Sequence, residues 1–140
     1  MVIKSFIVAL LMVAGCSAKV AERSVAELEW RPDIDQPIGQ LQAMLDATEQ
    51  QQPRNYTSSN LAFALDAKLY ILFHRYLETL DADARHDAIG EQGRWLDQRK
   101  SVTSAAYSKY QGGTLASYAG NMAFIDATVR RIAEVESSIP

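Results

Sequence analysis

The 140-residue chain has one cysteine, Cys16, and two histidines, His74 and His86. A lone thiol excludes an internal disulfide and a cysteine-rich metal centre. A zinc site wants a close histidine pair with a third ligand, and His74 and His86 fall on separate predicted helices, so no metal and no cofactor is expected. Basic charge is not in excess: 14 Lys and Arg stand against 17 Asp and Glu, a net −3 at pH 7. Such a chain has no general attraction to phosphate backbones, which excludes nucleic acid as an expected partner. No apolar run reaches the roughly 20 residues of a membrane-spanning helix. What remains is 48% hydrophobic and 22% charged, the composition of an ordinary folded domain, and the length suits one.

The first sixteen residues carry an address. Lys4 precedes an uncharged apolar run from Ser5 to Ala14, about 15 Å long as a helix. That is short for a bilayer but suits a signal peptide. Ala14-Gly15-Cys16 follows, and it resembles the lipobox of bacterial lipoproteins. The resemblance implies a signal peptide over 1–15, a lipid on the Cys16 sulfur, and a polar tether with irregular structure over 16–37. Removal of Lys4 leaves 13 basic against 17 acidic groups, a balance of −4. The expected location is the bacterial cell envelope, anchored by lipid, with Ser17 after the cysteine favouring the outer membrane and the periplasm.

The rest reads as helix. Ile38, Leu41 and Leu45 predict a short helix to about Gln50. Gln50 to Asn55 reads as a linker, with Pro53 as a stop. Thr57-Ser58-Ser59-Asn60 offers N-cap residues. Leu61, Leu65, Leu69, Leu72, Tyr76 and Leu80 then recur at helical spacing, widened by Phe73 and Leu77. Asp81-Ala82-Asp83 breaks that helix and caps the next, which runs to about Tyr110. Its expected apolar stripe is Ala88, Ile89, Trp95, Leu96 and Val102. Gly112-Gly113 closes it. A final helix from Thr114 carries Leu115, Tyr118, Met122, Ile125, Val129, Ile132 and Val135. No segment alternates as a strand does. The fold class is therefore all-α: a small antiparallel bundle of three long helices plus one short N-terminal helix, over residues 38–140. Its predicted core includes Leu69, Leu72, Phe73, Trp95, Met122 and Ile125.

Catalytic chemistry finds no foothold. His74 and Glu78 share a helix face, which is the ordinary pattern of a solvated surface. Asp81, Asp83 and Asp87 suit a helix N-terminus. Asn55-Tyr56-Thr57 matches a glycosylation sequon by chance. The protein is not expected to be an enzyme. Trp95 and Arg99, four apart, place a guanidinium over an indole. Trp95 fits a core position, while Arg99 can brace the helix and present charge.

Several motifs in order resemble the LprI-type lysozyme-inhibitor family: Leu65-Asp66-Ala67-Lys68-Leu69, Glu91-Gln92-Gly93-Arg94-Trp95-Leu96-Asp97-Gln98-Arg99, Tyr110-Gln111-Gly112-Gly113-Thr114, and Thr128-Val129-Arg130-Arg131. The resemblance spans residues 60–136. It implies a small exported helical protein that binds a muramidase. Family members carry paired cysteines, where this chain has Thr103 and Ala123, and Tyr70 stands in place of the family's Asn. Tyr107, Tyr110, Gln111 and Thr114, with Arg99, are the expected partner-binding residues, because a tyrosine at a loop tip makes a good anchor. The alternative is a helical envelope lipoprotein with a structural or assembly role, binding another envelope protein.

Overall fold

The computed structural model describes residues 33–140; the signal segment, Cys16 and most of the tether lie outside the described residues. Four helices follow: α1 Asp35–Asp46, α2 Gln51–Glu78, α3 Ala82–Ser108 and α4 Thr114–Ser138. Among the described residues there is no strand. The architecture is an all-α bundle of three long helices and one short one.

Helix α4 is central. It packs against α2 and α3, while α1 packs on α2. Polar contacts fix the directions. Arg54 meets Tyr118 near the start of α2 and α4, and Lys68 meets Glu136 farther along both, so these two helices run parallel. Arg99 meets Thr128 and Gln92 meets Arg131, so α3 runs antiparallel to α4.

Two helix starts differ from expectation. Pro37 lies in the first turn of α1, and Pro53 in the first turn of α2. Proline is tolerated there because the first-turn N–H groups have no intrahelical acceptor. The expected linker at Gln50–Asn55 is therefore mostly helix, and the real connection is 47–50. Thr57 and Ser58 do not cap α2; both are buried inside it. Asp81 does cap α3, its Oδ1 accepting from the Ala84 N–H at 2.9 Å. Arg85 closes the preceding turn by donating from Nε and Nη2 to the carbonyls of Leu77 and Leu80, which satisfies acceptors that a helix C-terminus leaves open.

The apolar core joins Leu61, Leu65, Leu69 and Leu72 of α2 to Ile125, Ile132 and Val135 of α4, with Leu45 of α1. Phe73, Trp95 and Met122 are partly buried against it. Helix α3 adds a different surface. Its buried residues are Ala88, Gln92 and Arg99, while Ile89, Leu96 and Val102 are exposed. The stripe expected on α3 is thus rotated: the face turned to α4 is small and polar, and part of the apolar face points to solvent.

The salt bridges of Lys68 tie α1 to the bundle. Its Nζ lies 2.9 Å from Asp35 and 3.2 Å from Glu136. Burial works against the charge, and it is the largest single influence, but the hydrogen bonds and charges of Asp35 and Glu136 together outweigh it and raise the Lys68 pKa above the usual 10.5. A raised lysine pKa adds stability that is complete below the unfolded value and lost as pH rises through the folded one. Lys68→Met should accordingly cost up to about 1 kcal/mol at pH 7. In urea titrations at stepped pH, that gap should hold to about pH 10 and close above it. A gap unchanged at pH 11.5 and above would refute the ion-pair account.

Candidate functional site

Three surfaces stand out. The first is the α3–α4 turn. After Ser108 the chain makes tight turns, with the Gln111 N–H donating to the Ser108 carbonyl at 3.1 Å and the Gly113 N–H to the Tyr110 carbonyl at 3.2 Å. Gln111 and Gly112 take φ of 52° and 76°. Glycine adopts this region at no steric cost, whereas an ordinary L-residue is strained there. The turn is fastened from below, because the Asn55 side-chain amide donates to the Thr114 carbonyl at 2.8 Å. Asn121 in turn donates to the Asn55 carbonyl and to Ser58 Oγ. Asn55, part of the apparent sequon, is thus a structural clamp. Tyr107, Tyr110, Gln111 and Thr114 are all exposed at this end, so the structure brings these four expected residues together.

Arg99 does not join them. It lies eleven residues from Tyr110, about 16 Å along the helix, and its side chain is 10% exposed. Its Nη1 pairs with Asp66 of α2 and donates to Thr128 Oγ1 of α4 at 3.2 Å. Its guanidinium carbon sits 4.0 Å from the Phe124 ring centroid and 4.8 Å from that of Trp95. Arg131 continues the stack at 5.8 Å from Trp95 and donates from Nε to Gln92 at 2.9 Å. Arg99 is therefore a structural clamp joining three helices, and its charge is spent inside the protein. The indole contact expected from the sequence is present, but the guanidinium lies nearer to Phe124.

The second surface is the recess between α3 and α4. Leu96, Lys100, Thr103 and Phe124 line one part, and Tyr107, Ser117 and Asn121 line its continuation toward the α3–α4 turn. The buried Thr103 hydroxyl has no partner among the described residues.

The third surface was missed in the sequence. Tyr56, Phe63 and Tyr70 of α2 are 71%, 73% and 67% exposed. Their spacing of seven was the available signal. Tyr70 packs its ring on His74 at 4.3 Å between centroids.

Among the described residues no group of three or more His, Cys, Asp and Glu is placed to hold a metal. No described helix is long and apolar enough to cross a membrane. Comparison with protein-family models, curated proteins and solved structures returns no match to this chain.

Proposed function

We propose that the protein is a lipid-anchored binding protein of the bacterial envelope that engages a lysozyme-like muramidase through its α3–α4 turn. The observation that carries the reading is the cluster at that turn: Tyr107, Tyr110, Gln111 and Thr114 exposed side by side on a fastened loop. Tyrosines on a pre-organised tip bury large area with little loss of freedom, which is the usual make-up of an anchor. The balance of −4 in the lipid-anchored chain suits a basic partner, by steering and by complementarity. The order of the LprI-like motifs behind the lipobox-like Ala14-Gly15-Cys16 supports the same reading. Thr103 and Ala123, where that family has its cysteines, fall on the two antiparallel helices that carry the turn. In this chain apolar packing and the Arg99 clamp take the place of a bridge.

The test is hydrolysis of bacterial cell walls by a basic muramidase with the detergent-extracted lipoprotein added. Inhibition at micromolar concentration is expected. No inhibition at tens of micromolar, against several muramidase types, would remove the reading. A second reading, an assembly role in the envelope without inhibition, is favoured by the uncharged aromatic stripe on α2. That surface is apolar where a basic enzyme would want carboxylates.

A further inference from the structure

Helix α2 has two flanks beside its buried face. Lys68 marks the flank toward α1, through Asp35. Asp66 marks the flank toward α3, through Arg99. Phe63 and Tyr70 lie three residues before and four after Asp66, so they lie beside it and form a rim on the exposed side of α2. Along this rim Tyr56, Asn60, Phe63, Ala67, Tyr70 and His74 follow at three and four. The aromatic residues repeat every seven, the period at which one helix keeps a constant face toward another. A rim about 27 Å long is thus apolar, regular and without a partner among the described residues.

We infer that this face of α2 is the contact between two copies of the chain, packed antiparallel about a two-fold axis at Phe63. The pattern is its own complement. Tyr56 and Tyr70 lie seven residues on either side of Phe63, so each Tyr56 meets Tyr70 of the second copy, and Phe63 meets Phe63. Asn60 falls level with Asp66 of the second copy, an amide donor against a carboxylate that already holds Arg99. Small Ser59 falls level with small Ala67, which lets the helices approach. Such pairing of a patch with itself is what a two-fold interface requires.

Charge selects this occupant over the others. The chain is net negative, and like-charged copies approach only where charge is sparse. From Tyr56 to His74 the rim carries one residue among Asp, Glu, Lys and Arg, namely Asp66, and it is paired. A basic enzyme would be drawn to free carboxylates, and an anionic lipid surface to Lys or Arg; the rim offers neither. The area is adequate. Three rings per copy, each two-thirds or more exposed, offer roughly 600–1,000 Å² across the pair at about 150–250 Å² per buried ring. Asn60, Ala67 and His74 bring this near the roughly 1,200 Å² at which specific interfaces begin. The inference stands apart from the muramidase reading, because it uses α2 and not the α3–α4 turn.

Disulfide trapping of the full chain in its membrane tests it, since Cys16 is the only native cysteine. Under mild oxidation Phe63→Cys should run mainly as a covalent dimer on non-reducing gels. Tyr56→Cys alone should stay monomeric, and Tyr56→Cys expressed together with Tyr70→Cys should cross-link. Val102→Cys, exposed on the opposite side of α3, is the control for random collision. A monomeric Phe63→Cys, equal trapping through Val102→Cys, or full trapping through Tyr56→Cys alone would each overturn the arrangement. As a second measurement, Phe63→Glu should shift the sedimenting species from dimer to monomer at micromolar concentration with unchanged helicity. A wild-type chain that sediments as a monomer there would overturn the inference as well.

Discussion

Replacing Arg99 by alanine should destabilise the fold by about 3–5 kcal/mol, the range for removing one partner of a buried charged pair together with its packing. The argument has three parts. The guanidinium fills the space between Phe124 and Trp95, so truncation opens a cavity in the α3–α4 contact. Thr128 keeps its bond to the Phe124 carbonyl at 2.7 Å but loses a donor. Asp66 is left without its cation, though its side chain is 46% exposed and water can solvate it. Packing therefore outweighs charge in the cost, and Arg99→Met should recover most of it, because a similar volume of apolar side chain replaces the pair. Asp66→Ala should fall between the two, since it strands a nearly buried guanidinium that keeps only Thr128 and the ring faces. Urea denaturation followed by circular dichroism gives the order. If Arg99→Ala lies within 1 kcal/mol of wild type, the clamp is not a structural element.

Leu61→Ala should cost about 3–4 kcal/mol, within the range of buried Leu-to-Ala changes. Leu61 is 1% exposed and belongs to the same cluster as Ile125 and Ile132. It sits near the start of α2, where the partly buried Arg54–Tyr118 contact and the Asn55 clamp hold α2 to α4. The site can collapse little, and most of the cavity should persist. Domains of this size are stable by only about 5–15 kcal/mol, so the transition should move well toward lower denaturant while staying cooperative. Ile89→Ala is the matched control. Ile89 is half exposed, and its loss should change stability by less than about 0.5 kcal/mol. Equal effects from the two would mean that the core does not lie between α2 and α4.

These expectations separate what sequence pattern reveals from what it hides. The long helices were legible because Leu61, Leu65, Leu69 and Leu72, and later Ile125, Ile132 and Val135, recur at three, four and seven residues on faces that are truly buried. The start of α2 was hidden because Pro53 reads as a stop, while in a first turn it costs no hydrogen bond. The inner face of α3 was hidden for a different reason. Hydrophobic periodicity assumes an apolar interior, and here the buried positions are Ala88, Gln92 and Arg99. A guanidinium stacked between two rings serves as core, and nothing local distinguishes it from a surface arginine. Contacts such as Asn55 with Thr114 join residues 59 apart in the chain, a separation that local pattern cannot reach. At the candidate site the turn residues were legible because Gly112 and the flanking tyrosines mark a loop tip. The α2 rim was not, because the leucine stripe of the same helix dominates the pattern and the seven-residue recurrence of Tyr56, Phe63 and Tyr70 falls outside it.

The most direct test of the central claim is the affinity of the detergent-extracted lipoprotein for a basic muramidase immobilised on a sensor surface. Wild type should bind with a Kd in the micromolar range or tighter. Tyr107→Ala/Tyr110→Ala should weaken binding at least tenfold, while Phe63→Glu, on the other surface, leaves it within twofold after correction for avidity. Unchanged binding by the double tyrosine variant, or no binding by wild type at tens of micromolar, would contradict the claim that the α3–α4 turn engages the enzyme.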